Sequence, residues 1–274
     1  MRRLVAVGVA TGLGVSAAAD GQSVAVQWPV ADGGNGHWYL GIRPPSVISW
    51  TAARQAAESA GGHLATATSG PECDFLHAMA GNSILWLGRI GPWLGGYQDP
   101  GAADYSEPGG GWKWITGEPW FSRWGPNEPN NAGGNEGLLH FISLSCSNPV
   151  PGRHWNDIHA GPGGGCEPIS PSYLVEWSAD CDGNGIVDYG EILDGSLADS
   201  DANGVPDCCD AGTSCDPCPG DLDDTDTVDA EDLAAVLFAW GTDGGKTPQA
   251  DITGDGTVDA SDLAVVLGSW GACP

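Results

Sequence analysis

Residues 111–131 read GWKWITGEPWFSRWGPNEPNN, a stretch that closes on Glu128-Pro129-Asn130. Glu136 follows, and then Trp155-Asn156-Asp157. Glu128, Asn130, Glu136, Asn156 and Asp157 place three carboxylates and two carboxamides within thirty residues that are rich in Gly, Pro and Trp. Ca2+ is a hard cation that takes about six to eight oxygens from carboxylates and amide carbonyls. These five side chains supply most of such a shell, and two neighbouring hydroxyls of a sugar could complete it.

Working outward, His37-Trp38-Tyr39-Leu40 reads as an opening strand. Trp50, Ala53 and Ala57 recur at helical spacing and run into Gly61-Gly62, which predicts a first helix and its stop. A second helix is predicted from Pro71, whose missing N–H costs nothing in a first turn, through Phe75-Leu76 to about Ala80. Short apolar segments broken by Gly and Pro come next: Ile84-Leu85-Trp86, Trp93-Leu94, Trp112-Lys113-Trp114, residues 138–143 and residues 173–177. Two helices followed by short strands and long loops predict an α+β domain, with the aromatic residues of the strands in its core.

In this order the segments resemble a C-type lectin domain. Residues 50–66, WTAARQAAESAGGHLAT, resemble that family's first-helix signature, and Trp93-Leu94-Gly95-Gly96 stands at its Trp-Ile-Gly-Leu core element. Residues 111–131, Trp155-Asn156-Asp157 and the closing Tyr173-Leu174-Val175-Glu176-Trp177 complete a similarity that covers residues 36–178. The resemblance implies two helices, short antiparallel strands and long loops, with Ca2+ held by Glu128, Asn130, Glu136, Asn156 and Asp157. It implies a cis bond before Pro129, which turns Glu128 and Asn130 toward one ion. Two sugar hydroxyls would bind that ion, each donating to a carboxylate and accepting from an Asn amide, which both donates and accepts. Glu-Pro-Asn resembles the readers of mannose, glucose and N-acetylglucosamine, with galactose disfavoured. A second family calcium site is not expected, because Asn131 and Gly137 stand where acids would help. The chain resembles a bacterial-type member lacking the usual cysteines: the paired positions are Ala57 with Val175 and Leu138 with Ala160. Cys146 and Cys166 flank Trp155-Asn156-Asp157 instead, and a bridge between them would brace the loop by about 3 kcal/mol. Cys73 falls on the second helix with no evident partner.

Beyond Ala179 the character of the chain changes. Of the 36 acidic residues, 22 lie in the last 95 positions, where Lys246 is the single basic residue. Asp180, Asp182, Asn184 and Glu191 fall at positions 1, 3, 5 and 12 of an EF-hand loop, with Gly185 at position 6 for its sharp turn. Asp199, Asp201, Asn203, Asp207 and Asp210 mark a second loop, whose Pro206 and Cys208-Cys209 oppose a following helix, so it resembles the calcium-wrapped repeats of thrombospondin. A 30-residue repeat then carries Thr227-Val228-Asp229-Ala230-Glu231-Asp232-Leu233 into Thr257-Val258-Asp259-Ala260-Ser261-Asp262-Leu263. Each copy continues into an apolar helix-like run ending in Trp-Gly, and the two runs are apolar enough to pack together. This duplicated loop-and-helix unit resembles a dockerin, a small α-helical calcium module. Its expected ligands are Asp221, Asp223, Asp229 and Asp232 in one copy, and Asp251, Asp255, Asp259 and Asp262 in the other, each copy with one weakened position. The resemblance implies a cohesin-like or cell-surface protein partner, although Ala230-Glu231 and Ala260-Ser261 replace the Ser/Thr pairs usual at loop positions 10 and 11.

Four segments follow: a secretory leader at residues 1–19, a lectin-like domain at 20–178, calcium loops with a Cys-rich linker at 179–218, and the dockerin-like module at 219–274. The leader rests on Arg2-Arg3 followed by uncharged residues 4–19 that end in Ser-Ala-Ala-Ala. That run is too short and too small in its side chains to span a bilayer, so a secreted or cell-surface protein is expected. Nine cysteines in an exported chain favour disulfides, with Cys181 and Cys273 drawn in, over a zinc site at Cys208, Cys209, Cys215 and Cys218. A net charge of −27 repels phosphate and so excludes ordinary nucleic-acid or anionic-membrane binding. His140, His154 and His159 lie near the loop, but no nucleophile elbow and no acid–base carboxylate pair accompanies them, so no enzyme is expected. The competing expectation is an extracellular structural or protein-binding adhesion protein whose calcium only rigidifies it.

Overall fold

A computed structural model describes residues 24–143, 151–159, 170–212, 215, 218–223, 225, 227–244 and 248–273. The leader at 1–19, Cys146 and Cys166 lie outside these residues.

Four short strands and two helices open the fold: β1 (Val26–Gln27), β2 (Trp38–Ile42), α1 (Trp50–Glu58), β3 (His63–Leu64), α2 (Gly70–Met79) and β4 (Ile90–Gln98). Ser49 caps α1 by accepting from the Ala52 N–H, and Trp50, Ala53 and Ala57 are its buried stripe. Ser69 caps α2 in the same way through Glu72, with Pro71 in the first turn. Then come β5 (Trp112–Trp114), β6 (Leu138–Ile142), β7 (His154–Ile158) and β8 (Tyr173–Trp177). One eight-stranded sheet runs β1-β2-β8-β4-β6-β7, with β3 paired to β8 and β5 to β4. All its pairings are antiparallel except β4 with β8.

β8 is buried along its whole length, including Glu176, whose carboxylate is satisfied by His37, Tyr39 and the Thr66 N–H. Its residues alternate between two cores. Leu174 joins Tyr39, Leu76, Leu94, Trp114, Phe141 and Trp155 on one side. Tyr173, Val175 and Trp177 join Trp50, Ala53, Ala57, Ile90 and Trp93 on the other. Buried indoles need acceptors: Trp50 donates to Leu94 O at 2.8 Å, Trp93 to Ile48 O at 2.8 Å and Trp177 to Ala60 O at 2.6 Å.

Three expectations are corrected. Ile84-Leu85-Trp86 is no strand: Ser83–Leu85 is a 3-10 turn, because the Asn82 side chain accepts from Ile84 N and drops Leu85 into the core. Trp155-Asn156-Asp157 lies inside β7, so its ligands stand on a sheet strand rather than a loop. A helix does follow the second acidic loop, despite Pro206, since proline is tolerated just ahead of a first turn.

The remaining elements are α3 (Asp188–Asp194), α4 (Asp207–Ala211), β9 (Thr227–Val228), α5 (Ala230–Ala239), α6 (Ala260–Gly268) and β10 (Gly271–Ala272). The chain forms two compact units, divided after Asp207, so the loop at 180–191 is built with the sheet. In the second unit α5 and α6 share a core of Val228, Val236, Ala239, Ala250, Val258 and Val266, and β9 pairs with β10. Disulfides join Cys208 to Cys215 and Cys218 to Cys273. Cys181 and Cys209 are also disulfide-bonded, whereas Cys73 is a buried free thiol on α2. No helix among the described residues is long and apolar enough to cross a membrane.

Candidate calcium and carbohydrate site

The loop before β6 is stitched to β7 by Gly125 N to Trp155 O at 2.9 Å and Trp155 N to Arg123 O at 3.1 Å. Asn127 and Asn131 turn it with φ of 67° and 48°, a left-handed conformation that Asn adopts more readily than most residues. Between them the Glu128–Pro129 bond is cis. Asp157, fully buried on β7, accepts from Asn130 N at 3.0 and 3.1 Å and from Asn131 N at 2.7 Å. The Asn130 amide donates to the Glu128 carboxylate. Glu136, itself buried, accepts from Ala132 N at 2.6 Å, while its own N–H donates to the Asn131 side-chain oxygen at 3.0 Å.

Glu128, Asn130, Asp157 and Glu136 are thereby gathered on one loop and the strand beneath it. Partial burial, the charge of Asp157 beside it and that of Glu136 push Glu128 up to about 7. A carboxylate crowded by two others is stabilised by a cation, so this donor set fits a hard divalent ion. Asn156 is buried and faces inward: its amide lies 3.1 Å from His140 Nε2 and donates to Asp157 O at 2.5 Å. Complete burial holds His140 down at about 3, so its ring is neutral and serves as an acceptor rather than a base.

The acidic loops also converge. The carboxylates of Asp180, Asp182 and Asp188 lie within 4.8 Å of one another, as do those of Asp221, Asp223 and Asp232. Asn184 donates to Asp182 at 3.0 Å and to Glu191 at 2.9 Å, while Glu191 Oε2 is buried without a hydrogen-bond partner. Asp188 was not among the expected ligands; its place nine residues into the loop is the signal that could have found it. In the second loop Asp199 accepts from Asn203 N and Gly204 N, Asp201 from Asn203 N, and Asp207 from Ser200 N at 2.8 Å. Asp210 stands past the division, in the second unit. Asp251 accepts from Gly256 N at 2.9 Å and keeps its other oxygen buried and unpartnered, while Asp255 accepts from Thr257 N. Asp229 and Asp259 are N-caps of α5 and α6, and Asp232 and Asp262 close capping boxes with them.

No family model matches the chain. Over 122 residues it is 31% identical to human C-type lectin domain family 4 member K, covering 42% of this chain and 32% of that protein. Over 132 residues it is 29% identical to mouse asialoglycoprotein receptor 1, covering 45% of this chain and 37% of that one. Over these stretches the chain is similar to C-type lectin proteins. The chain spans about a third of the length of these curated relatives. The solved cow C-type carbohydrate-recognition domain of CD23 is similar over 59% of this chain and 98% of its own, at 23% identity and a TM-score of 0.41. By name these proteins are lectins and receptors rather than enzymes.

Proposed function

We propose that this protein is a non-enzymatic, calcium-dependent carbohydrate-binding protein for mannose-, glucose- or N-acetylglucosamine-type sugars, acting as a secreted or cell-surface molecule. The observation that carries the reading is Asp157 clamping the backbone of Asn130 and Asn131, which gathers Glu128 and Asn130 over the same carboxylate. Glu128, Asn130, Glu136, Asn156 and Asp157 are the residues assigned to the ion and the sugar. The acidic segments are assigned as EF-hand-like and dockerin-like calcium modules that space or attach the binding domain. Support for an attachment surface comes from Leu237 and Phe238 of α5, Leu267 of α6, and Trp240 and Trp270 just past these helices, all of them exposed. A cohesin-like or other cell-surface protein is the partner class assigned to them.

A second reading has its own support. Asp157 and Glu136 already accept backbone N–H groups of the loop, which suits a calcium ion that only rigidifies it. Titration of the full chain with methyl mannoside, N-acetylglucosamine and galactose, in millimolar calcium and then in excess chelator, separates the two. Calcium-dependent heat with the first two sugars and none with galactose is the expected result, and Glu128→Ala abolishes it. Calcium binding with no sugar response would favour the rigidifying role.

A further inference from the structure

The loop at residues 180–191 is packed into the body of the first unit rather than hung from it. Asp188 N donates to Ala179 O at 2.9 Å, and its carboxylate accepts from Cys181 N at 3.0 Å, which fixes the loop's ends to the start of α3. From α3, Tyr189 stacks on Trp177 of β8 with centroids 4.0 Å apart and planes 14° from parallel, and meets Trp38 of β2 edge-on at 6.1 Å. Val187 and Tyr189 belong to the same buried cluster as Trp50, Ala53 and Ala57 of α1. Trp177 in turn donates to Ala60 O, just past the end of α1. The next loop closes on that spot as well: a Cβ on Gly204 would lie 2.2 Å from Ala60 O, and one on Gly61 2.4 Å from Gly204 O. Only glycine allows two backbones so near.

Within the loop, Asp180 accepts from Gly183 N and Gly185 N, Asp182 from Asn184 and Asp188 from Cys181 N, so the uncompensated group is Glu191. Three carboxylates converge within 4.8 Å, and Glu191, 7% exposed, turns one oxygen to Asn184 and leaves Oε2 buried and unpartnered. An unsatisfied buried carboxylate oxygen that feels the like charges of Asp182 and Asp188 is costly, and a cation removes both penalties at once.

We propose that residues 180–191 form a cation-operated clamp on the sheet: a hard divalent ion held by Asp180, Asp182, Asp188 and Glu191 fixes α3, and Tyr189 passes that order to Trp177 and the end of α1. The proposal rests on the reading of this loop as a cation site and adds to it a mechanical consequence for the neighbouring domain. The test is hydrogen exchange of the full chain with calcium or chelator, followed by mass spectrometry of peptides from residues 50–62, 173–178 and 180–195. Calcium is expected to slow all three by about tenfold or more. Glu191→Gln should remove the calcium effect from all three. Tyr189→Ala should leave it on residues 180–195 and remove it from residues 50–62. Glu128→Ala, which alters only the other proposed calcium site, should leave it everywhere. Calcium protection confined to residues 180–195 in the unaltered chain, or protection of residues 50–62 that survives Tyr189→Ala, overturns the clamp while the cation site stands. No calcium effect on residues 180–195 overturns both.

Discussion

Glu128 illustrates how far a single residue depends on its neighbours. Burial and the charges of Asp157 and Glu136 raise it to about 7, so it takes up a proton as the pH falls through neutrality. A protonated Glu128 is a poor cation ligand. Calcium affinity at this loop is therefore expected to fall as pH drops below 7, approaching about tenfold per pH unit once the ion must displace the Glu128 proton, and calorimetric titration from pH 8 to 5 reads it. Glu128→Gln should bind weakly and lose that pH dependence. His37 and Glu176 make the opposite case. Burial would lower His37, but its 2.6 Å bond to Glu176 and the charges of Glu176, Glu72 and Glu118 raise it instead. Burial would raise Glu176, yet His37, His63 and the Thr66 N–H hold it below the usual range. The pair is thus ionised between Glu176's lowered value and His37's raised one. Its stabilisation is complete for His37 below its ordinary value of about 6.5, and is lost as pH rises through the raised one. Urea unfolding at pH 5.5 and 8.5 should show lower stability on the alkaline side. His37→Gln should reduce that difference, leaving the share that Glu128 contributes. The candidate ligands were legible as residue types at a spacing, because ligand chemistry is local. The inward turn of Asn156 toward His140 was not, because strand register decides it.

At the scale of elements, α1, α2, α5 and α6 were readable from apolar spacing, Pro71 and glycine stops, and their bounds agree with expectation to within a few residues. The strand His154–Ile158 was missed because its sequence is dominated by polar ligands, and only pairing with β6 makes it a strand. The tail helices carry a prediction of their own. Asp262 is fully buried; burial pushes it up, but the N–H groups of Asp259 and Thr253 hold it below the usual range. It joins the helix cap to the loop. Asp262→Ala should therefore destabilise the second unit by about 2 kcal/mol even in chelator, and a further loss in calcium would mark its part in a cation shell. Thermal melts followed by far-ultraviolet circular dichroism in both conditions read the two components.

At the scale of the molecule, the excess of acid is concentrated where covalent ties are dense. The bridge from Cys218 to Cys273 spans 55 positions of the second unit. Closing a loop of that length removes on the order of 4 kcal/mol of unfolded-state entropy, so reduction should unfold the second unit at a correspondingly lower denaturant concentration. Acting alone, a reductant should shift a tail signal such as Trp240 or Trp270 fluorescence far less in millimolar calcium than in chelator. The amino-acid sequence by itself determined the α+β class of the body, the helices, the loop formulae and the candidate ligand types, since each follows from local propensity or from chemistry at fixed spacing. Tertiary structure decided the pairing of the cysteines, the division of the chain after Asp207, the fusion of the first acidic loop to the sheet through Tyr189 and Trp177, and the burial of Glu176 beside His37. Those features join residues far apart in the chain, and which distant residues meet is settled by the packing of the whole sheet.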